Sequence, residues 1–455
     1  MLQKWVGEFG RAQMLHFVLV SLAWTINAMH AMVMIFADRQ PPWRCLPTMG
    51  CTSASSICEM DSREWEWIGG KGRSIISKWG LICSEAYKVG MVDSMFFVGA
   101  FCGAGIFGSL SDSFLGRKGV LQLVCIMNAV VGLATAFSET YWTYLALRLI
   151  TGFSSGGIGL SSFVLATELI GPSWRGVVAM SVFYFFSTGI MLLSGIAYVA
   201  PSLRYLYVFV SLPTFFYLCL VLPFISESPR WYIIRGRTDE AMQVLRLFAK
   251  RNGRPVPPGV ELASEISNCQ ELLEPNEQTI SHSPNGKASG TLLDVFRYAE
   301  TRTRMMVMVI VWFGSAIVYY GISLNVVNIG FNLYLSIFLN AVAEMPAFAI
   351  TAILLKKLGR RIILVGSMLL SGGCCLMAVF LSSQGKAEIG LVVCGMIAIF
   401  GMAASYNLIY LYTAELFPTV VRNAALGLAS QASHVGAMTA PFAVVLAHFT
   451  HAFRL

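Results

Sequence analysis

The stretch Leu115–Lys118 (LGRK) recurs later in the chain as Leu358–Arg361 (LGRR). The two copies lie 243 residues apart, and each follows an apolar run long enough to cross a membrane. A basic turn that returns after an equivalent run indicates an internal repeat.

A second pair of charged motifs repeats at almost the same distance. Glu168 precedes Arg175 by seven residues, Glu415 precedes Arg422 by seven, and the two glutamates lie 247 residues apart. Because both pairs keep one order and nearly one offset, the sequence predicts a parallel duplication. Its two related halves would surround an axis along the membrane normal.

The composition indicates that the chain folds in a bilayer. Of its 455 residues, 56% are hydrophobic and only 12% are charged, and the mean hydropathy is +0.67. A water-soluble chain of this length needs more charge on its surface. The net charge of +8 does not predict a nucleic-acid partner, because the basic residues stand between apolar runs and form no single stripe.

Eleven apolar runs are long enough to cross about 30 Å of hydrocarbon as helices. A β-barrel is excluded because the runs lack its ten-residue alternation, and an open sheet would leave backbone groups unpaired in lipid. The expected fold is an all-α integral membrane protein of the two-bundle type. The predicted spans are 14–36, 87–109, 119–138, 141–166, 176–199, 203–224, 304–325, 330–354, 362–382, 388–412 and 424–449.

The distribution of positive charge orients the chain. With the N-terminus in the cytosol, the short cytosolic loops carry eight basic residues, whereas the opposite short loops carry only Arg204 and Lys386. The positive-inside rule therefore predicts a cytosolic N-terminus, in the plasma membrane or the vacuolar membrane. The eight residues are Arg117, Lys118, Arg175, Lys356, Lys357, Arg360, Arg361 and Arg422.

Two long connections separate the spans. The first, 37–88, is predicted to be extracellular, where disulfides persist. The second, 226–303, is charged, and its part 238–251 has the pattern of an amphipathic surface helix. Four cysteines of the first connection are disulfide candidates with three possible pairings, and four free thiols are the alternative. They are Cys45, Cys51, Cys58 and Cys83.

The repeat also sets the expected domain organisation. Shifting the span 203–224 by the repeat distance places its partner near 450–471, although the sequence stops at Leu455. We therefore expect six helices in the first bundle and five in the second, with the last helix missing. The predicted divisions are a bundle over 1–225, a cytosolic linker over 226–303 and a bundle over 304–455.

Several of these blocks resemble motifs of the major facilitator superfamily. Gly108–Lys118 (GSLSDSFLGRK) looks like its loop motif between the second and third spans, and Arg148–Gly152 (RLITG) resembles its fourth-span motif. Glu227–Trp231 (ESPRW), after the sixth span, is shared by sugar porters and organic-ion transporters. The resemblance implies alternating access between two bundles.

Three further blocks resemble the organic cation/carnitine transporter family, most of all its plant members. They are the end of the large first loop, Ser74–Cys83 (SIISKWGLIC), the seventh-span block Val318–Asn325 (VYYGISLN) and the eighth-span block Ala343–Ala347 (AEMPA). The resemblance covers nearly the whole chain. It implies a secondary transporter of small organic cations or carnitine-like zwitterions, with a proton or sodium ion as a possible coupling ion.

Glu344 is the first candidate for binding such a substrate. It lies in an apolar span beside Pro346, where a carboxylate needs a partner, and a passing cation would supply one. A structural hydrogen bond to a neighbouring helix is the alternative. His434, in the middle of the eleventh span, is the second candidate, because a neutral or charged imidazole there would tune the selectivity or take part in proton coupling. Hydrogen-bonded scaffolding is the alternative role for His434.

Aromatic and amide side chains within the spans are further candidates. Aromatic rings offer cation–π faces to quaternary ammonium groups. Because Tyr319 and Tyr320 are adjacent, they point in different directions on a helix, and only one is expected to line the pathway. Packing and hydrogen bonds between helices are the alternatives for all of these residues. The candidates are Trp312, Tyr319, Tyr320, Tyr406, Tyr410, Asn325 and Asn407.

Charged residues at the cytosolic ends of the spans form a predicted gating network. Ion pairs there would latch the halves in the outward-facing state and break when the inside opens, and simple topology and helix end-capping are the alternative. Arg148 is expected to join this network as a buried arginine in need of a partner. The set is Asp112, Arg117, Arg148, Glu168, Arg175, Glu415 and Arg422.

No sequence signal indicates an enzyme. The chain has no Walker loop, dinucleotide fingerprint or zinc spacing, so neither a cofactor nor a metal site is predicted. A secondary transporter in a lipid bilayer is the favoured function. Two alternatives remain at this point: a truncated member that binds or regulates a partner without transporting, and a proton-coupled carrier of the sugar type.

Overall fold

A computed structural model gives the fold of the chain. It describes residues 6–46, 57–58, 60, 63–256, 296–297, 299–325, 332–355, 357–383, 388–417 and 422–449. Nearly all of the long elements are helices, because each apolar run pairs its own backbone groups internally.

The first half contains six long helices, as predicted from its apolar runs. In the first, Val33 alone separates α1 from the short α2. The sixth ends in a π-helical turn over Tyr217–Val221 and a 3₁₀ turn over Leu222–Phe224. The elements are α1 Arg11–Met32, α2 Met34–Ala37, β1 Trp43–Cys45, β2 Trp65–Trp67, α3 Ile75–Trp79, a 3₁₀ turn Cys83–Glu85, α4 Tyr87–Asp112, α5 Gly116–Thr135, α6 Tyr141–Glu168, α7 Pro172–Val199 and α8 Leu203–Phe216.

The second half contains the remaining five long helices, again at the predicted places. Ten helices in the described part of the chain are long and apolar enough to cross a membrane, and the eleventh predicted span forms the 28-residue α15. The elements after the sixth span are α9 Pro229–Ile234, α10 Thr238–Arg251, α11 Ala299–Asn325, α12 Leu333–Leu354, α13 Arg360–Ser383, α14 Glu388–Leu416 and α15 Arg422–Phe449.

The first long connection carries a small β-structure on one face of the bundle, which we call the loop face. Strands β1 and β2 pair antiparallel, with Trp43 opposite Trp67. Cys58 and Cys83 form a disulfide. Cys45 is also disulfide-bonded, and Cys51 lies outside the described residues.

The second connection begins on the opposite face, which we call the linker face. Helix α10 covers the residues predicted to form an amphipathic helix, and it packs Phe248 against the start of α1. Asn252, directly after α10, donates to the carbonyl of Val6 at 2.9 Å and to Gln13 Oε1 at 2.7 Å. This helix is therefore held to the first bundle by both apolar and polar contacts.

Within the first half, α4 and α6 approach each other closely through paired glycines. A Cβ added at Gly152 would lie 1.9 Å from the carbonyl oxygen of Phe96, and one added at Gly103 would lie 1.9 Å from that of Phe153. Small residues spaced four apart allow such contact between helix backbones in a membrane. The first half therefore contains a tightly packed helix pair.

The two halves meet through equivalent helices. Ser94 on α4 donates to the carbonyl of Met438 on α15 at 2.6 Å. Ser194 on α7 donates to the carbonyl of Tyr334 on α12 at 2.5 Å. Second and fifth spans of the first half thus face the fifth and second spans of the other, as the predicted duplication requires.

Candidate substrate site between the two halves

Glu344 lies in the middle of α12, where that helix faces the first half. The residue is only 3% exposed. Ser187 on α7 donates its hydroxyl to the carboxylate, and Tyr319 on α11 donates to Oε1 at 2.7 Å. An unpaired carboxylate is costly in an apolar interior, so these two hydroxyls account for its burial. One belongs to each half.

A small cavity lies directly beside this carboxylate. Its walls include Met32 from the first half and Ser323, Asn340 and Ile399 from the second. The cavity volume is about 10 Å³, which is close to the minimum that holds one water molecule. An organic cation therefore needs the halves to move apart before it can reach Glu344.

The predicted aromatic residues of the second half form one cluster beside this site. The ring centroids of Trp312 and Tyr410 are 4.4 Å apart, those of Tyr319 and Tyr406 are 5.8 Å apart, and those of Tyr319 and Tyr320 are 5.4 Å apart. The indole of Trp312 donates to Thr413 at 3.0 Å, so its N–H is satisfied within its own half.

Tyr319 and Tyr320 point in different directions, and both reach the interface. The hydroxyl of Tyr319 meets Glu344, whereas the ring of Tyr320 packs 4.6 Å from Phe97 on α4 of the first half. Phe97 and Tyr320 thus close the interface next to the carboxylate.

Two first-half residues complete this interface, and neither was singled out from the sequence. Ser187 is the hydroxyl donor described above, and Phe183 places its ring 5.4 Å from Tyr410 and 6.1 Å from Phe348. No local signal distinguishes them from other serines and phenylalanines of a span. Their importance comes from a contact with a helix more than 150 residues away.

The other polar candidates lie on three different helices. Asn407 on α14 donates to the carbonyl of Met180 on α7 at 3.4 Å, so it joins the halves. His434 is half-buried on α15, next to Ser433, which accepts from the Tyr406 hydroxyl at 2.9 Å. Asn325 is the last residue of α11 and is half-buried.

Four of the predicted gating residues of the first half, Asp112, Arg117, Glu168 and Arg175, lie at the linker face. The guanidinium of Arg117 lies 2.9 Å from Asp112 and 3.3 Å from Glu168. Arg175 donates to the carbonyl of Ile170 at 3.1 Å. The whole group lies within the first half.

The second half has a corresponding pair at the same face. Arg360 binds Glu415 through two nitrogens, at 2.8 and 3.0 Å. The side chain of Arg422 lies outside the described residues. This pair and the Arg117 group each join residues of one half, so these ion pairs do not themselves link the halves.

Glu227 was not predicted as a member of this group, yet it binds the start of α5. Its carboxylate accepts from the backbone N–H groups of Arg117 at 3.1 Å, Lys118 at 3.0 Å and Ser228 at 2.8 Å. Burial raises the pKa of Glu227, while those three N–H donors oppose the rise. A carboxylate at a helix N-terminus is favoured by the free N–H groups and the helix dipole.

The expectation that Arg148 joins the gating network is wrong. Arg148 lies 20 residues before Glu168 on α6, which is about 30 Å along a helix, and therefore near the loop face. It is fully buried and donates to the carbonyl of His30 at 3.1 Å. Asp38 and Asp93 are the carboxylates that act on its charge.

Comparison with known proteins agrees with this architecture. The family model described as "Sugar (and other) transporter" matches residues 56–449. The organic cation/carnitine transporter 4 of Arabidopsis thaliana is 54% identical over 446 residues, which are 98% of this chain and 83% of the relative. The organic cation/carnitine transporter 3 of the same plant is 36% identical, over 97% of this chain and 84% of the relative.

Solved structures match the fold. The xylose transporter XylE from E. coli, in a partially occluded inward-open conformation, has a TM-score of 0.66 over 95% of this chain and 91% of its own, with 14% identity. The TM-score supports a shared fold, and an identity of 14% carries no argument about the substrate. The family and its relatives are transporters and not enzymes. The chain is therefore an integral membrane secondary transporter of the major facilitator superfamily and belongs to its organic cation/carnitine transporter family.

Proposed function

We propose that this transporter moves small organic cations or carnitine-like zwitterions, and that Glu344 binds their positive charge. One observation carries the proposal: a buried carboxylate between the halves accepts hydrogen bonds from the hydroxyl of Ser187 in the first half and that of Tyr319 in the second. The names of the relatives, which include organic cation/carnitine transporter 4, support the same substrate class.

This geometry links cation binding to the movement of the halves. When the halves part, the Ser187 hydroxyl moves away with α7, and a carboxylate in an apolar interior loses one of its two partners. A substrate cation restores that partner, and the rings of Tyr319 and Tyr406 offer it cation–π faces. His434, on α15, is proposed to set whether a zwitterion or a simple cation is preferred.

The gating role of the linker-face ion pairs is part of the proposal. Arg117 with Glu168, and Arg360 with Glu415, fix the ends of helices within each half. Each half then moves as a rigid body, and exchange of these partners accompanies opening. A change at either pair alters the balance between open and closed states.

The proposed place of a coupling ion is near Arg148. Asp38 and Asp93 are two carboxylates that act on the one guanidinium of Arg148, and we propose that a coupling ion neutralises the second negative charge. A proton or a sodium ion would neutralise it. Asp93→Asn would then abolish any dependence of uptake on a proton or sodium gradient, which uptake assays with and without each gradient would measure.

The orientation of the chain belongs to the same proposal. The loop face with its disulfide lies outside the cytosol, and the linker face with the N-terminus lies in it. The plasma membrane and the vacuolar membrane are the two proposed locations, which fluorescence imaging of a tagged chain would distinguish.

Uptake into proteoliposomes tests the proposed substrate class. We expect saturable uptake of labelled tetraethylammonium and carnitine by the wild-type chain, and at least about tenfold lower uptake by Glu344→Gln. Glu139→Gln, at an exposed position, is the matched control and should match the wild type. Equal uptake by the Glu344→Gln variant would remove Glu344 from the proposal.

The same assay separates the alternatives. Uptake of labelled xylose driven by a proton gradient, without uptake of tetraethylammonium or carnitine, would favour a sugar-type carrier. Uptake of none of these by correctly inserted protein would favour a role in binding a partner protein.

A further inference from the structure

A second cavity lies at the loop face, away from Glu344. It lies between the end of the first span at Phe36, the β2 end at Ile68, the turn 200–203 and Tyr334 at the start of α12. Its volume is about 160 Å³, similar to engineered cavities of about 150 Å³ that bind benzene. A compact organic molecule therefore fits in it.

Two guanidinium groups line this loop-face cavity. Arg39 lies over the ring of Tyr334, with 5.9 Å from its Cζ to the ring centroid, and Arg73 lies across Gly69. In the part of the chain that the structure describes, neither guanidinium forms an ion pair with a carboxylate. Two arginines on one cavity without an acidic partner favour an anionic ligand, because guanidinium binds carboxylates with paired hydrogen bonds.

The rest of the wall is largely apolar. Phe36, Ile68, Leu203 and Leu206 face the same space, together with three prolines, Pro41, Pro42 and Pro201. A wall that combines apolar side chains with two cationic ones suits a ligand with a compact hydrocarbon body and one carboxylate. An inorganic anion would leave the apolar wall uncovered.

We propose that the loop-face cavity binds a small organic monocarboxylate and thereby holds the loop face closed. Both halves build the cavity, since Phe36 and Leu206 belong to the first and Tyr334 to the second. The rings of Phe36 and Tyr334 stack with centroids 5.6 Å apart, and Ser194 donates to the Tyr334 carbonyl. A ligand bound across this junction stabilises the conformation in which the junction is closed, and it slows transport.

Binding to the purified full-length chain tests the site directly. In isothermal calorimetry, benzoate should bind at least about tenfold more tightly than benzyl alcohol, which lacks the charge, and than acetate, which lacks the ring. Equal binding of benzoate and benzyl alcohol would overturn the role of the arginines. Equal binding of benzoate and acetate would overturn the role of the apolar wall. No detectable benzoate binding would overturn the site itself.

Variants separate this site from general surface charge and from the substrate site. The double variant Arg39→Gln/Arg73→Gln should bind benzoate at least about tenfold more weakly than the wild type. Arg44→Gln changes a nearby arginine on β1 whose exposed side chain pairs with Glu66, and it should change benzoate binding less than about twofold. Equal weakening by Arg44→Gln would contradict the proposal. Loss of benzoate binding in Glu344→Gln would assign benzoate to the substrate site instead.

Transport gives the second readout. Benzoate added at the loop face should lower the maximal rate of tetraethylammonium uptake without raising KM, and the double variant should escape this inhibition. A rise in KM alone would indicate competition at Glu344 and would overturn a separate site. If the double variant is not monodisperse, the comparison of benzoate with benzyl alcohol on the wild type still decides the proposal.

Discussion

The two copies of the repeated turn differ in burial although their sequences are nearly the same. Arg117 is 8% exposed, and its partner Glu168 has a side chain 13% exposed. In the second half the side chains of Arg360 and Glu415 are 44% and 42% exposed. The same ion pair at the same place in the repeat is therefore buried in one half and solvated in the other.

The cause of this difference is the segment after the sixth span. Glu227 and Trp231 pack over the start of α5, where a Cβ at Gly116 would lie 2.4 Å from Glu227 Oε2 and 3.3 Å from the Trp231 ring. Among the residues that the structure describes, none has a heavy atom within 4 Å of the equivalent Cβ at Gly359. A repeated motif thus fixes the position of a charge, but the surrounding chain fixes its energy.

The largest expected effect of this comparison is on stability. Arg117→Gln leaves Glu168 buried without its charge partner, which costs about 3–5 kcal/mol, while Arg360→Gln costs about 0–1 kcal/mol. Thermal unfolding in detergent should show a much lower midpoint for the Arg117→Gln variant only. Equal midpoints for the two variants would show that burial does not separate the pairs.

The two glycines give a smaller contrast. Both have left-handed backbones, with φ of 75° at Gly116 and 78° at Gly359, so alanine is strained at either position by about 1–2 kcal/mol. At Gly116 the new methyl also displaces Glu227 or Trp231, which adds about 1–3 kcal/mol. The unfolding midpoint should therefore fall further for Gly116→Ala. An equal fall would mean that the segment 227–231 yields without cost.

The smallest expected effect tests the gating proposal. Glu415→Gln should hardly change the unfolding midpoint, because an exposed pair contributes about 0–1 kcal/mol. The same energy applied to an equilibrium between open and closed states shifts it about two- to fivefold, so the uptake rate should change by a similar factor. An unchanged uptake rate would remove Glu415 from the gate.

The fold could largely be predicted from the sequence, because hydropathy and the repeat are local or periodic signals. The eleven runs became the long helices, and 238–251 became α10. The predicted position of Arg148 was wrong, although the direction of its span was enough to place it correctly. The fourth span runs from the loop face to the linker face, so a residue near its start must lie far from Glu168.

The candidate site was only partly predictable. A carboxylate within an apolar run is unusual enough to be recognised from the sequence, and Glu344 was predicted in this way. Ser187 and Glu227 were not, because their roles depend on contacts 157 and 110 residues away in sequence. The burial of Arg117 could not be predicted from the sequence for the same reason, since no feature of the repeat distinguishes it from Arg360.

Direct binding of tetraethylammonium tests the central claim, that Glu344 binds a cation between the halves. Calorimetry on the purified wild type, Glu344→Gln and Glu139→Gln would compare the three affinities. The account predicts at least about tenfold weaker binding for Glu344→Gln, with the Glu139→Gln control unchanged. Wild-type affinity in Glu344→Gln, in protein that remains monodisperse, would contradict it.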